Sequence, residues 1–89
     1  MKNKKNTILF KGDLIIENAS EIKEQIKSQL RPNNSIFLKF EKIESIDLSF
    51  VQIIMSLKKY ANQNNIKIIF ENVLPLEFSN FIKKFGITI

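Results

Sequence analysis

Ser35-Ile36-Phe37-Leu38-Lys39-Phe40, then Ile46-Asp47-Leu48-Ser49, then Ile66-Lys67-Ile68-Ile69-Phe70 are the runs on which the fold turns. The first and last are rich in apolar, β-branched and aromatic residues, the composition of buried strands, and the first reads as covered on both faces. Between them Phe50, Ile53, Ile54, Leu57, Tyr60 and Ala61 fall on one broad face at about 100° per residue, with Gln52, Ser56 and Lys59 opposite. That spacing predicts a helix from the Asp47–Ser49 junction to about Asn62, stopped by the polar stretch 62–65. Strand, helix and strand in this order make a βαβ unit with parallel strands and a right-handed crossover.

The same reading extends outward. Thr7–Phe10 and Leu14–Glu17 read as two short strands, and Lys11-Gly12-Asp13 between them carries a turn signal, so a hairpin is expected. Asn18 opens a helix, with Glu21 at the capping-box spacing. Ala19, Ile22, Ile26 and Leu30 form its apolar stripe, and Glu24 and Lys27 can pair on its wet side. Pro32 stops it, because the residue before proline avoids the α region. Glu41–Ile46 reads as a polar connection. Pro75 suits the first turn of a third helix with Leu74, Phe78, Phe81, Ile82 and Phe85 on its apolar face; Gly86 and Ile87 close it. Thr88–Ile89 either adds an edge strand or frays. The order is ββαβαβα: an α/β chain with a small mixed sheet covered by helices. Residues 1–6 are expected to be a flexible basic terminus, and residues 7–89 a single domain.

Composition narrows the chemistry. The chain has 89 residues, neither cysteine nor histidine, and only two Gly and two Pro. Thiol nucleophiles, imidazole acid–base chemistry and the usual zinc ligand sets are therefore excluded. No Gly-rich phosphate loop or hydrolase serine elbow is present, so an enzyme is not expected, nor a cofactor or a metal. Cysteine-free composition fits the cytoplasm. No apolar run approaches membrane-spanning length, so direct membrane insertion is not expected. Net charge is +5, but the lysines are scattered beyond Lys2, Lys4 and Lys5. A basic nucleic-acid-binding module remains an alternative, and it predicts affinity that falls steeply with salt.

The candidate site is the junction itself. Asp47 and Ser49 stand two residues apart where a strand meets a helix, next to unpaired N–H groups and the positive dipole end. A phosphate on Ser49 would suit that position, which makes Ser49 a phosphorylation candidate. Ser49-Phe50-Val51-Gln52 also has the form of a capping box, so either Ser49 or Asp47 can cap the helix. Leu48, Val51 and Met55 lie on the shoulder of the helix. That apolar strip reads equally well as core or as a partner-docking surface.

Strand 35–40, the Ile46-Asp47-Leu48-Ser49 junction, helix 50–62 and strand 66–70 together resemble a STAS domain, the fold of the bacterial anti-sigma factor antagonists. The resemblance runs from about Thr7 to Ile87, with Phe78–Gly86 similar to the family's closing helix. It implies a non-catalytic switch. Ser49 stands where an anti-sigma serine kinase phosphorylates antagonists of that kind, and Asp47 matches the acidic residue before it. Partner contact would involve Asp47, Leu48, Ser49, Val51, Gln52 and Met55. Leu48 stands where the family often has Ser or Thr, and Phe50 where it often has Gly, which adds bulk beside Ser49. STAS modules also serve as constitutive subunits of chemotaxis-linked and lipid-transport complexes, and the resemblance alone does not choose between the two roles.

Overall fold

The computed structural model describes residues 6–72 and 74–87. Apart from Asn6, the terminus expected to be flexible lies outside the described residues, as does Thr88–Ile89. Three strands, β1 (Thr7–Leu14), β2 (Ser35–Ile46) and β3 (Lys67–Phe70), form one sheet in the order β1-β2-β3. Helix α1 (Ala19–Gln29) connects the first two, α2 (Leu48–Gln63) the last two, and α3 (Leu76–Lys83) follows. The expected α/β architecture of strands joined by helical crossovers is present.

The sheet differs from expectation in one respect. Both strand pairs are parallel, so among the described residues there is no antiparallel hairpin and the sheet is not mixed. Lys11-Gly12-Asp13 does not turn the chain back; β1 runs straight through it. Ile8, Phe10 and Leu14 are all buried at the even positions of one period-2 pattern, with Gly12 falling in step. That continuity on one face outweighs a turn signal with no antiparallel partner. Gly12 instead adopts φ +74° where the pairing with β2 slips. Lys11 stands opposite Glu41, Gly12 opposite Ile43 and Asp13 opposite Ser45, so β2 bulges at Lys42 and Glu44. The Ser45 hydroxyl donates to Asp13 Oδ1 across the bulge, at 2.7 Å.

Glu41–Ile46 is therefore strand rather than a connection. Its consequence is positional. β2 delivers the chain to Asp47 beside the carboxyl end of β1, where the Asp47 N–H donates to the Leu14 carbonyl at 3.1 Å. Leu14–Glu17 is not a second strand either: Leu14 ends β1, and Ile16–Asn18 form a 3-10 turn leading into α1.

The core lies on one face of the sheet. Ile8, Phe10, Ile36, Leu38 and Phe40 are buried together with Ala19, Ile22 and Ile26 of α1 and with Phe50, Val51, Ile54, Leu57 and Ala61 of α2. Phe10 stacks on Phe40 at 5.4 Å, and Phe50 meets Phe10 edge-on at 5.4 Å. Such ring pairs stabilise by about 0.5–1.5 kcal/mol beyond area burial. The opposite face carries Leu9, Phe37, Lys39 and Ile69, all half-buried, so β2 is not fully covered on both sides as its composition suggested. Lys39 pairs with Glu41 there at 3.4 Å, an exposed ion pair of little energetic weight. Pro75 sits one residue ahead of α3, Gly86 takes φ +81°, and Ile87 is buried as expected.

Candidate functional site

Asp47 organises the junction. It stands in extended backbone just before α2, and its side chain caps the helix by accepting the Ser49 N–H at 2.9 Å through Oδ1. The Ser49 hydroxyl donates to the same oxygen. Oδ2 accepts the N–H of Ile16, at 3.0 Å, from the turn that follows β1. One carboxylate thus ties the start of α2 to the end of β1. Of the two capping options open in the sequence, Asp47 is the cap, and Ser49 stands at the second helical position.

These contacts tune the carboxylate. The Ser49 hydroxyl bond, and then the backbone N–H groups of Ile16, Ser49 and Phe50, hold the Asp47 carboxyl below its ordinary range against an opposing push from burial. Asp47 is therefore ionised at neutral pH, and the site already carries one negative charge beside the Ser49 hydroxyl.

Phe50 resolves the question of bulk. Its ring is fully buried in the cluster with Phe10 and Phe40, so it points away from the surface that Ser49 shares. The strip expected from Leu48, Val51 and Met55 divides. Val51 is 0% exposed and belongs to the core, whereas Leu48 is 47% and Met55 49% exposed. Helical geometry explains the split: Val51 sits a further 40° or so round toward the sheet than Met55, on the edge of a core-facing arc. The sequence reading missed Ile16. It is 63% exposed, and Asp47 holds its backbone against the junction. A lone isoleucine in an expected strand carried no signal of this role, because its position depends on the turn after β1.

The junction and the helix it starts therefore carry a half-buried Ser49, an ionised cap, the exposed Gln52, and the exposed apolar side chains Ile16, Leu48 and Met55. A groove of about 710 Å³ begins at Ile16 and Ser49 and runs between α1 and α2 to Leu30 and Tyr60. It has a mainly aliphatic floor. No metal-holding cluster of acidic side chains occurs among the described residues. No helix among them is long and apolar enough to cross a membrane.

Comparison with curated proteins and with solved structures yields no match. The STAS domain family model matches residues 2–76, which takes in all three strands, α1, α2 and the Asp47–Ser49 junction, and stops as α3 begins. The part of the earlier resemblance that rested on Phe78–Gly86 lies beyond the matched residues. Domains of this family are generally non-catalytic interaction or regulatory modules. With a match over most of its length and the parallel βαβαβ frame in place, the chain belongs to the STAS domain family.

Proposed function

We propose that this STAS domain docks a partner protein through Asp47, Leu48, Ser49, Gln52 and Met55, joined by Ile16, and that phosphorylation of Ser49 switches the docking off, as in anti-sigma factor antagonists. The observation that carries the reading is a serine hydroxyl at the start of α2 with exposed apolar side chains on the adjoining segments, Leu48 beside it in sequence, Ile16 on the turn that Asp47 holds, and Met55 further along the helix. An apolar patch with polar groups beside it suits a protein partner. A phosphate would add about −1.5 to −2 charges beside a carboxylate that is already ionised. Asp47 occupies the Ser49 N–H, so the phosphate would compete for that donor or project into the patch. Either result places a strongly hydrated group where the partner's apolar surface must sit. The partner class is an anti-sigma serine kinase, and the cysteine-free composition supports a cytoplasmic setting.

A second reading is favoured by the Ser49–Asp47 bond. A hydroxyl that donates to the cap has a structural role, which fits a constitutive STAS subunit of a chemotaxis-linked or lipid-transport complex. Tagged wild type, Ser49→Ala and Ser49→Asp, used as baits in lysate of the source organism and read by mass spectrometry, separate the two. A kinase retained by wild type and Ser49→Ala but lost by Ser49→Asp supports the switch. The same transporter or chemotaxis components on all three baits would leave the Ser49 hydroxyl only its bond to the Asp47 cap.

A further inference from the structure

The groove between α1 and α2 differs in chemistry from the patch around Ser49. Its floor is Ala19, Ile26, Ile53 and Leu57, all nearly buried. Lys23 and Lys27 of α1 form one wall, and Ser56 and Tyr60 of α2 stand on the other. No carboxylate is among its described lining residues. Neither lysine is in an ion pair among the described residues, so the expected Glu24–Lys27 pair is not formed. The groove therefore presents two uncommitted cations above an apolar trough.

We infer that this groove receives an acidic amphipathic helix of the partner protein, with its apolar side chains in the trough and its carboxylates on Lys23 and Lys27. This inference rests on the docking reading above, because the groove opens at Ser49. Three features favour a helix. Ser49 to Tyr60 covers about 16 Å of α2, which matches about three turns of a bound helix. The trough lies between two helices, where ridges of a third can pack with anchors at i, i+3, i+4 and i+7. Lys23 and Lys27 are one helical turn apart, a spacing that acidic residues four apart on a partner can match. Its rim is made of the exposed side chains Lys23, Lys27, Gln52, Ser56 and Tyr60, so it would shelter an acyl chain poorly. Phosphate on Ser49 would stand at the groove mouth with the same charge sign as the occupant, so the switch would act on the groove as well as on the patch.

The test uses the full chain, labelled with 15N. The probe is a synthetic helix-favouring peptide of about fourteen residues, with leucines at i, i+3, i+4 and i+7 and flanking glutamate pairs. A copy with every glutamate replaced by lysine, and dodecanoate, are the comparison ligands. The acidic peptide should shift the amide resonances of Ala19, Ile26, Ser56 and Leu57. Lys23→Glu with Lys27→Glu should weaken its binding about tenfold, the loss expected for two exposed charge pairs. Both lysines are exposed on α1, and an unchanged thermal melt will establish that the double variant is folded. Equal binding of the lysine peptide, shifts that map elsewhere, or a response to dodecanoate alone would overturn the inference. Ser49→Glu separates the two proposals. If the acidic peptide binds wild type in the groove and binds Ser49→Glu equally well, the groove stands and the phospho-switch falls.

Discussion

The two helices that cover the sheet start in the same way on paper and differently in space. Each comes after a strand in the sequence reading, each has an Asx residue at its cap position, and a capping-box pattern starts at Asn18 in one and at Ser49 in the other. Asp47 caps α2 and accepts hydrogen bonds from the Ser49 N–H, the Ser49 hydroxyl and the Ile16 N–H. Asn18 makes no cap bond to α1; its amide turns back and donates to the Asp13 carbonyl at 2.8 Å. A carboxylate can only accept, so it collects the unpaired N–H groups at the junction. An amide can also donate, and here a strand-end carbonyl claims it. The third helical residues differ too: Phe50 of α2 is fully buried, whereas Glu21 of α1 is exposed. The start of α2 is fastened by the Phe50 ring and by an ionic cap; the start of α1 buries Ala19 and Ile22 but has no side-chain cap. A rigid helix start is what a docking surface on α2 requires.

Phe50→Ala should be the most damaging change to that contrast. It removes a ring packed against Phe10 and Phe40, and a loss of about 3–5 kcal/mol is expected in urea unfolding. A loss below about 1 kcal/mol would mean that the aromatic cluster is not what anchors α2. Asp47→Ala comes next, at about 1–2 kcal/mol, because it orphans the donors at the helix start and frees the turn at Ile16. Its pH signature has a definite sign. The carboxyl is held below its unfolded value of 3.8, so its stabilisation is fully present above that value and is lost as pH falls through the folded value. Asp47→Asn should remove that acid-limb contribution. Asn18→Ala should cost only about 0.5–1 kcal/mol, the loss of one exposed hydrogen bond to a carbonyl. Equal costs for Asp47→Ala and Asn18→Ala would erase the distinction between the two starts.

Much of this architecture was legible because periodicity reports burial. The stripe on α1 and the broad face of α2 follow the period of a helix, and Ile36, Leu38 and Phe40 follow that of a strand. What misled was punctuation. Gly12 between two apolar runs looks like a turn, yet parallel pairing with β2 is a contact across the whole α1 crossover and leaves no local trace. Asn72 escaped notice for the same reason. Where β3 ends, its side-chain amide takes the place of a strand neighbour, accepting the Phe40 N–H at 2.9 Å and donating to the Phe40 carbonyl at 2.7 Å. At the site, Asp47 and Ser49 were visible as residue types at a junction. The exposure of Ile16 and the burial of Val51 depend on how the turn after β1 and the arc of α2 meet the sheet, which no single segment specifies.

The smallest expected effect is the one that bears most on function. Ser49→Ala deletes one donor to Asp47 and leaves the Ser49 and Ile16 backbone N–H groups in place, so stability should change by no more than about 0.5 kcal/mol. The electrostatic readout should move more clearly than the stability. The Ser49 hydroxyl is the leading cause of the low Asp47 pKa, so its removal should raise that pKa toward the ordinary value. A 13C titration of the Asp47 carboxyl in both proteins measures this directly. A raised midpoint with unchanged folding would show a hydroxyl that tunes the cap without holding the helix, which leaves it free to be modified. An unchanged midpoint would mean that the backbone donors alone set the carboxylate, and that the start of α2 owes Ser49 nothing electrostatically. A stability loss near that of Asp47→Ala would instead make Ser49 part of the fastening and count against its use as a switch.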